Sequence, residues 1–560
     1  MVQKRLLRGV AGAGALGAIV LGSAGFVSRN TPQSRPAAPP RAGSAHVLNY
    51  VNVDSGLFPQ TMDPANVTDS QSIQVLPMLY GNLVKLNTNN QVVPDLAQSF
   101  TMSPNGLTYT FKLRNTKFSD GKPVTAADVV YSLDRALNPK VYQTGAGKFG
   151  ASPVAGTYLG HILGASSYKG SGDVKGLKAV NSSTVQITLD SPIAFFLQTL
   201  SYPTGDILEK GKTPIGGLVP NNPMQNQVSS GPFKISAYRY KSSITFVPNP
   251  GFYNAGKMKL KEVDMPFTPS FDSSYTGFRS GEYAMGSITA NRLPSSRSLP
   301  DFHQIAILGI DYISYNFNRA PFNNANLRKA MSYAINRELI CNGVLKGSEV
   351  PLYSVVPKGI PGFDTSGKQY TPSYNPTMAK RYLALAKKQM GASFPSTILI
   401  KYQNSGTDLA REYVELQNEW KAVGLNVKVQ SIDFNSWLNL VNKSAGGHEQ
   451  WVENAWLDDY PDAQDFTTNL LSPATPYNIG NYNSAEFNRL TNQALTARGS
   501  ERGALYVKAS RIALNDVAWS TIGQNVYSWR WSQNIKGMTM WSGELYPVPQ
   551  NNDWTSVDVQ

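Results

Sequence analysis

One cysteine, Cys341, in 560 residues excludes an intramolecular disulfide framework and any zinc centre built from several thiolates. Histidine is scarce too. His46, His161, His303 and His448 lie in four separate neighbourhoods, so no HExxH or comparable metal-ligand spacing exists. From these absences no metal and no cofactor is expected. Acidic residues are missing from the first 45 positions, which carry six basic ones, so the net charge of +14 falls to +8 for the remainder. That excess is spread thinly, and its densest stretch, Lys257, Lys259 and Lys261, alternates as one solvated strand face would. Nucleic acid is not an expected partner. A charged share of only 16 %, beside 41 % hydrophobic and 11 % aromatic residues, excludes wholesale disorder. The length leaves room for roughly two to four domains.

Catalytic signatures are equally thin. Two stretches match G-x-G-x-x-G. Gly12, Gly14 and Gly17 sit in an apolar leader, and Gly145, Gly147 and Gly150 follow no apolar strand, with Phe149 where a phosphate loop needs Ser or Thr after its lysine. The second stretch reads as a flexible loop. No G-x-S-x-G elbow is present, and Cys341, in a helical apolar context, has no histidine nearby in sequence. No catalytic residue is assigned.

What is present begins with a basic head, residues 1–8, and a charge-free run over residues 9–27, together the pattern of an export signal or membrane anchor. Small residues Gly22, Ser23 and Ala24 offer a cleavage site, while a run of this length is also long enough to span a bilayer as a helix. No cysteine follows it, so a diacylglycerol anchor is not expected. Residues 28–45 form a Pro-rich spacer without apolar periodicity.

Beyond the spacer, period-two alternation at Leu107, Tyr109, Phe111 and Leu113, at Val185, Ile187 and Leu189, and at Leu425, Val427 and Val429 predicts half-buried strands. Residues 408–423 predict a helix burying Tyr413, Leu416, Trp420 and Val423, closed by Gly424. A second helix, residues 378–390, precedes a strand at 397–402, so the C-terminal half contains an α/β domain. Residues 229–249 predict two strands about a turn at Lys241 and Ser242, which makes the sheets mixed. Residues 456–462, WLDDYPD, place three carboxylates beside a tryptophan and a proline. By composition alone this is a solvated turn at a strand end. Paired carboxylates also serve glycosidases, although two on one loop rarely flank a sugar from opposite faces.

Several blocks are recognisable in order and spacing: LYGNLV at 79–84, VPDLA at 93–97, LTYTFKLR at 107–114, FSDGKPVTAADVVYS at 118–132, SSGPFKI at 229–235, NPGFY at 249–253, FRSGE at 278–282, NFNRAPFNNANLRKA at 316–330 and YAINR at 333–337. Together they resemble the extracytoplasmic solute-binding proteins of the peptide and nickel uptake class, over residues 46–560. The resemblance implies an α/β, two-lobed periplasmic-binding-protein-like fold with an extra inserted domain. Residues 46–80, 228–308 and 515–560 would form a discontinuous base domain, residues 81–227 the insert, and residues 309–514 the second lobe.

It further implies a monomeric receptor of an ABC importer, exported to the periplasm or cell surface, that captures peptides between its lobes and delivers them to a membrane permease and ATPase. In peptide-binding members an aspartate three residues after a tryptophan pairs with the ligand's α-ammonium, and Asp459 after Trp456 has that spacing. A buried ammonium needs such a charged, hydrogen-bonded partner. Trp456 and Trp437 match side-chain pocket positions, and Gly231 matches a backbone contact to the ligand main chain. The chain departs from the family pattern at Asn336, at Asn323 or Asn324, and over residues 521–526, which read TIGQNV where relatives have an aromatic-rich strand. Oligosaccharide or metal-chelate capture by the same fold, and a secreted hydrolase, remain the alternatives. With no cysteine after the leader, metabolic labelling with a fatty-acid probe should leave the mature protein unmarked; a labelled band would contradict this.

Overall fold

The computed structural model describes residues 45–560 apart from residues 54–57, 68, 144–148, 151, 218, 220–223, 226, 405, 434–435, 438–439, 441–450 and 476. The leader, the spacer up to residue 44, Gly145, Gly147 and His448 therefore lie outside the described residues. No helix among the described residues is long and apolar enough to cross a membrane.

Alternating sequence becomes sheet where one face can be buried. In the strand Thr108–Leu113, Tyr109, Phe111 and Leu113 are buried while their neighbours are not, and in Thr184–Thr188 the same holds for Val185 and Ile187. These two strands lie at the centre of an antiparallel sheet flanked by Ala97–Met102 and Leu177–Asn181. Phe233–Arg239 and Ser243–Pro248 form a hairpin whose turn residue Lys241 takes φ +58°. The hairpin pairs onward to Glu262–Thr268, which receives Val47–Asn49 in parallel, so this sheet is mixed. Lys257, Lys259 and Lys261, expected on a strand face, instead occupy a 3-10 turn, Ala255–Lys257, and the irregular segment after it. Met258 and Leu260, which alternate with the lysines, do pack against the core, Leu260 at 2 % exposure, but from irregular chain and without a sheet partner.

The third sheet carries the site. Its two long strands, Phe302–Tyr315 and Trp519–Trp531, pair antiparallel, with Trp451–Leu457 beside the first and Met285–Ser287 and Glu349–Pro351 beside the second. The register of the long pair slips between Ala306 and Ile310, a bulge that re-aims the strand next to the cavity described below. Against this sheet stands a βαβ element of the predicted kind: Ile398–Gln403, the helix Thr407–Ala422 and Val427–Ile432, the two strands parallel. The helix buries Tyr413, Leu416 and Trp420, and the indole N–H of Trp420 donates to the Met331 carbonyl at 3.2 Å. Buried apolar residues form three clusters. One runs through residues 48–285, takes in Tyr460 and returns at residues 529–559, and the other two lie within residues 308–522.

The helix Thr407–Ala422 ends as its sequence requires. Gly424 adopts φ +92°, and a Cβ there would meet only Leu383 Cδ2, at 3.8 Å. The cost of a side chain is therefore conformational and not steric. Gly424→Ala should lower the unfolding free energy by about 1–2 kcal/mol, the cost of left-handed backbone for an L-residue, measured by urea denaturation; an unchanged value would mean the turn relaxes freely.

Candidate functional site

A cavity of about 850 Å³ opens between segments distant in sequence, and Asp459, Trp456 and Trp437 all lie on its wall. The strand Trp451–Leu457 delivers the first two. Its register against Phe302–Tyr315 ends with Leu457 opposite Gly309, and the Asp458 N–H makes the last ladder-like bond, to the Leu308 carbonyl at 3.0 Å. The chain then turns, and Asp462 caps the short helix Ala463–Phe466 by accepting from the Gln464 N–H at 2.8 Å. Arg502 grips Asp462 through both carboxylate oxygens, Nη2 to Oδ1 at 2.7 Å, which fixes the turn from behind.

The expected solvated turn is thus buried at Tyr460, Pro461 and Asp462 and half-buried at Asp458 and Asp459, with each of its acids placed differently. Asp462 is a structural anchor. Asp458 and Asp459 face the cavity. A fourth carboxylate, Asp465, is fully buried beneath them and accepts three hydrogen bonds: from the Trp456 indole at 3.0 Å, the Asp459 N–H at 2.9 Å and Asn469 Nδ2 at 3.1 Å. With its N–H used inward, Trp456 offers the cavity its ring, which meets Tyr477 edge to face at 5.4 Å. Trp437, 8 % exposed, lines the same space.

Asp459 accepts a hydrogen bond from the hydroxyl of Tyr158, 301 residues earlier. The Tyr158 ring packs edge to face on Tyr202 and on Tyr460, with centroids at 4.8 Å and 5.5 Å. Burial, and then the charge of Asp465, hold the Asp459 carboxyl well above the usual carboxylate range. Burial does the same to Asp458, helped by Asp465 and Glu544. Among the described residues no lysine, arginine or histidine nitrogen lies within 4 Å of Asp458 or Asp459. A carboxyl so placed ionises most readily when a cation enters the cavity beside it.

Gly231 is placed differently from the expectation. It is not on the cavity wall; its N–H donates to the Leu79 carbonyl at 2.9 Å and its carbonyl accepts from Asn249 Nδ2 at 2.9 Å. Both backbone groups are thereby committed inside the protein. A Cβ at this position would come within 2.8 Å of the Leu79 and Tyr80 backbone, so close packing accounts for the glycine. The adjoining Pro232 does reach the cavity.

Sequence reading missed a second group of acids on the wall. Asp311, Glu349 and Glu412, from three separate elements, converge until their carboxylate oxygens lie within 4.8 Å of one another, the one trio of potential metal-ligating side chains among the described residues. Separations of 38 and 63 residues leave no local pattern to read. Tyr158, too, carried no signal. In all, twelve of the described lining residues are Asp or Glu and one, Lys85, is cationic, in a protein whose net charge is +14.

Burial lifts Asp465 from an ordinary 3.8 to about 7, outweighing the three donors that oppose it. Between those values the unfolded chain has released this proton while the folded chain still holds it. Stability must therefore fall as pH rises through that window. Asp465→Asn removes the titration. The stability difference, wild type minus variant, should decline from pH 4 to 7 by up to about 1.4 kcal/mol per pH unit, read from urea melts; parallel curves would exclude the assignment.

Comparison with known proteins gives the family. The oligopeptide-binding protein of Bacillus subtilis is 28 % identical over 511 residues, 89 % of this chain and 91 % of that protein. A probable deoxycholate-binding periplasmic protein of Escherichia coli is also 28 % identical, over 88 % of this chain and 90 % of its own length. The solved structure of the Escherichia coli murein tripeptide binding protein superposes with a TM-score of 0.78 at 23 % identity, covering 93 % of this chain and 99 % of that one. It shares the two-lobed α/β fold. The model for bacterial extracellular solute-binding proteins, family 5, matches residues 91–478, more than half of the chain, and the protein therefore belongs to that family.

Proposed function

We propose that this protein is the extracytoplasmic receptor of an ABC importer and that it binds peptides in the cavity, with Asp459 pairing with the ligand's α-ammonium. The observation that carries this reading is a carboxyl on the cavity wall, braced by the Tyr158 hydroxyl and an N–H bond to Asp465, with no cation among the described residues beside it. The names of its relatives support the same class of ligand. Trp456 and Trp437 would line side-chain pockets, and no chemical step is assigned to any residue. A deoxycholate-like ligand would bring a carboxylate into a wall with twelve acids and one lysine, which disfavours it.

The lobes we propose are the base of residues 46–80, 228–308 and 515–560 with its insert, 81–227, and the second lobe, 309–514. The bulge near Ile307 falls where Phe302–Tyr315 would cross between them, and the three apolar clusters divide near the same point. The Tyr158–Asp459 bond would then join the insert to the second lobe, so that ligand and closure stabilise one another. A monomer, tethered or released by its leader, would hand the ligand to a permease and its ATPase.

Oligosaccharide capture is the second reading, favoured by the aromatic wall of Trp437, Trp456, Trp541 and Trp554. Asp459→Asn separates the two. It keeps the shape and one acceptor for Tyr158, but a desolvated ammonium loses its counter-charge, a loss on the order of 3–5 kcal/mol for a broken buried pair. Calorimetric titration of wild type and variant with one peptide, free and N-acetylated, gives a four-point cycle. The free peptide should lose affinity in the variant and the acetylated one hardly change; a coupling near zero would overturn the ammonium role and favour sugars.

A further inference from the structure

The Asp311, Glu349 and Glu412 group stands apart from the Asp458–Asp459 turn and is not needed to hold an α-ammonium. Asp311 comes from the long strand Phe302–Tyr315, Glu349 from the edge strand Glu349–Pro351, and Glu412 from the second turn of the helix Thr407–Ala422. They are 8 %, 6 % and 1 % exposed, yet all three line the cavity. Nearby acids are treated otherwise: Asp272 is paired with Arg292 and Asp408 with Arg411. Among the described residues Asp311 and Glu349 have no cationic nitrogen within 4 Å. Asp311 accepts from the Asn525 amide at 2.8 Å and shares a hydrogen bond with the Glu349 carboxyl.

The backbone around the group is shaped to admit it. Gly523 lies in the strand between Asp311 and Glu349, paired with Asp311 on one side and Pro351 on the other. A Cβ at Gly523 would fall 2.1 Å from Glu349 Oε2, so any larger residue would displace the carboxyl. Burial raises the Glu349 carboxyl well above its ordinary range, and the charges of Glu412 and Asp311 raise it further. Three acids crowded in this way weaken the empty receptor, the usual signature of a wall built for a ligand that restores the balance. Leu345, Ile307 and Val526 line the same cavity and supply apolar surface for a methylene stem.

We propose that Asp311, Glu349 and Glu412 form a second subsite, which takes the cationic side chain of a lysine- or arginine-bearing peptide and makes this receptor selective for basic ligands. The proposal rests on the peptide reading above. A hard divalent cation would need about six to eight oxygen ligands, and three carboxylates in the wall of an organic-sized cavity suit one ammonium or guanidinium better. An Arg side chain could fork across two of the acids, and a Lys ammonium could donate to all three.

The test uses tetrapeptides of alanine with a single lysine at position two, three or four, each matched by its norleucine counterpart, which keeps the stem and removes the charge. Calorimetry on the purified protein should give at least one position where lysine binds at least about tenfold tighter than norleucine. Glu349→Gln and Asp311→Asn should each reduce that ratio toward one and leave the melting temperature of the empty protein unchanged or higher. Equal affinity of lysine and norleucine peptides at every position in the wild type would overturn the subsite while the peptide function stood. A ratio untouched by both variants would also overturn it. Binding of calcium chloride alone that vanished in Glu349→Gln would reassign the group to a metal ion. Binding of none of the peptides would overturn both the subsite and the function on which it rests.

Discussion

Carboxylates removed from water without cationic partners are the constraint on which the site depends. Asp465 is the clearest case. It is fully buried, and three N–H donors converge on it from Trp456, Asp459 and Asn469. Those donors fix the backbone at Asp459 and the plane of Trp456 together, so a single side chain sets both the charge and the aromatic face offered to the cavity. A buried acid that has donors but no counter-ion is costly. Such a group persists where the surrounding fold is stable enough to hold it, here through the Arg502–Asp462 fork behind the turn.

The sheet of Phe302–Tyr315, Trp519–Trp531 and Trp451–Leu457 distributes that constraint. One edge ends at Asp458 and Asp459, the centre carries Asp311, and the strand Glu349–Pro351 on the other side brings in Glu349. The βαβ element adds Glu412 from its helix. Two acidic groups are therefore held on one rigid frame, a fixed distance apart, which suits a ligand with two positive centres better than one with a single charge. Aromatic rings on the same wall, Trp437, Trp456 and Tyr477, give apolar contact that does not depend on the ligand's sequence.

Local pattern and tertiary position contributed unequally to what could be read beforehand. The helix ending at Ala422 and its Gly424 stop were legible because a 3.6-residue stripe and a glycine are local signals. The hairpin at Lys241 was legible for the same reason. Lys257, Lys259 and Lys261 misled because their alternation with Met258 and Leu260 has the strand period, whereas the segment buries Leu260 from a 3-10 turn and irregular chain. Gly231 is a different case: a motif match expects it near the ligand, and its two backbone groups are bonded to Leu79 and Asn249.

By itself the sequence determined the α/β elements, the family and the importance of the WLDDYPD turn, since these follow from periodicity, turn chemistry and ordered blocks along the chain. Composition gave the wrong sign for the site, however. A chain of net charge +14 encloses a cavity whose described lining holds twelve acids and one lysine. Only the tertiary structure decided that Tyr158 braces Asp459 across 301 residues, and that Asp311, Glu349 and Glu412 meet within 4.8 Å. The physical reason is range. Backbone propensity and hydrophobic period act over a turn or a strand, whereas burial and Coulomb interaction depend on distance in space, which strand register and packing set only once the whole chain has folded.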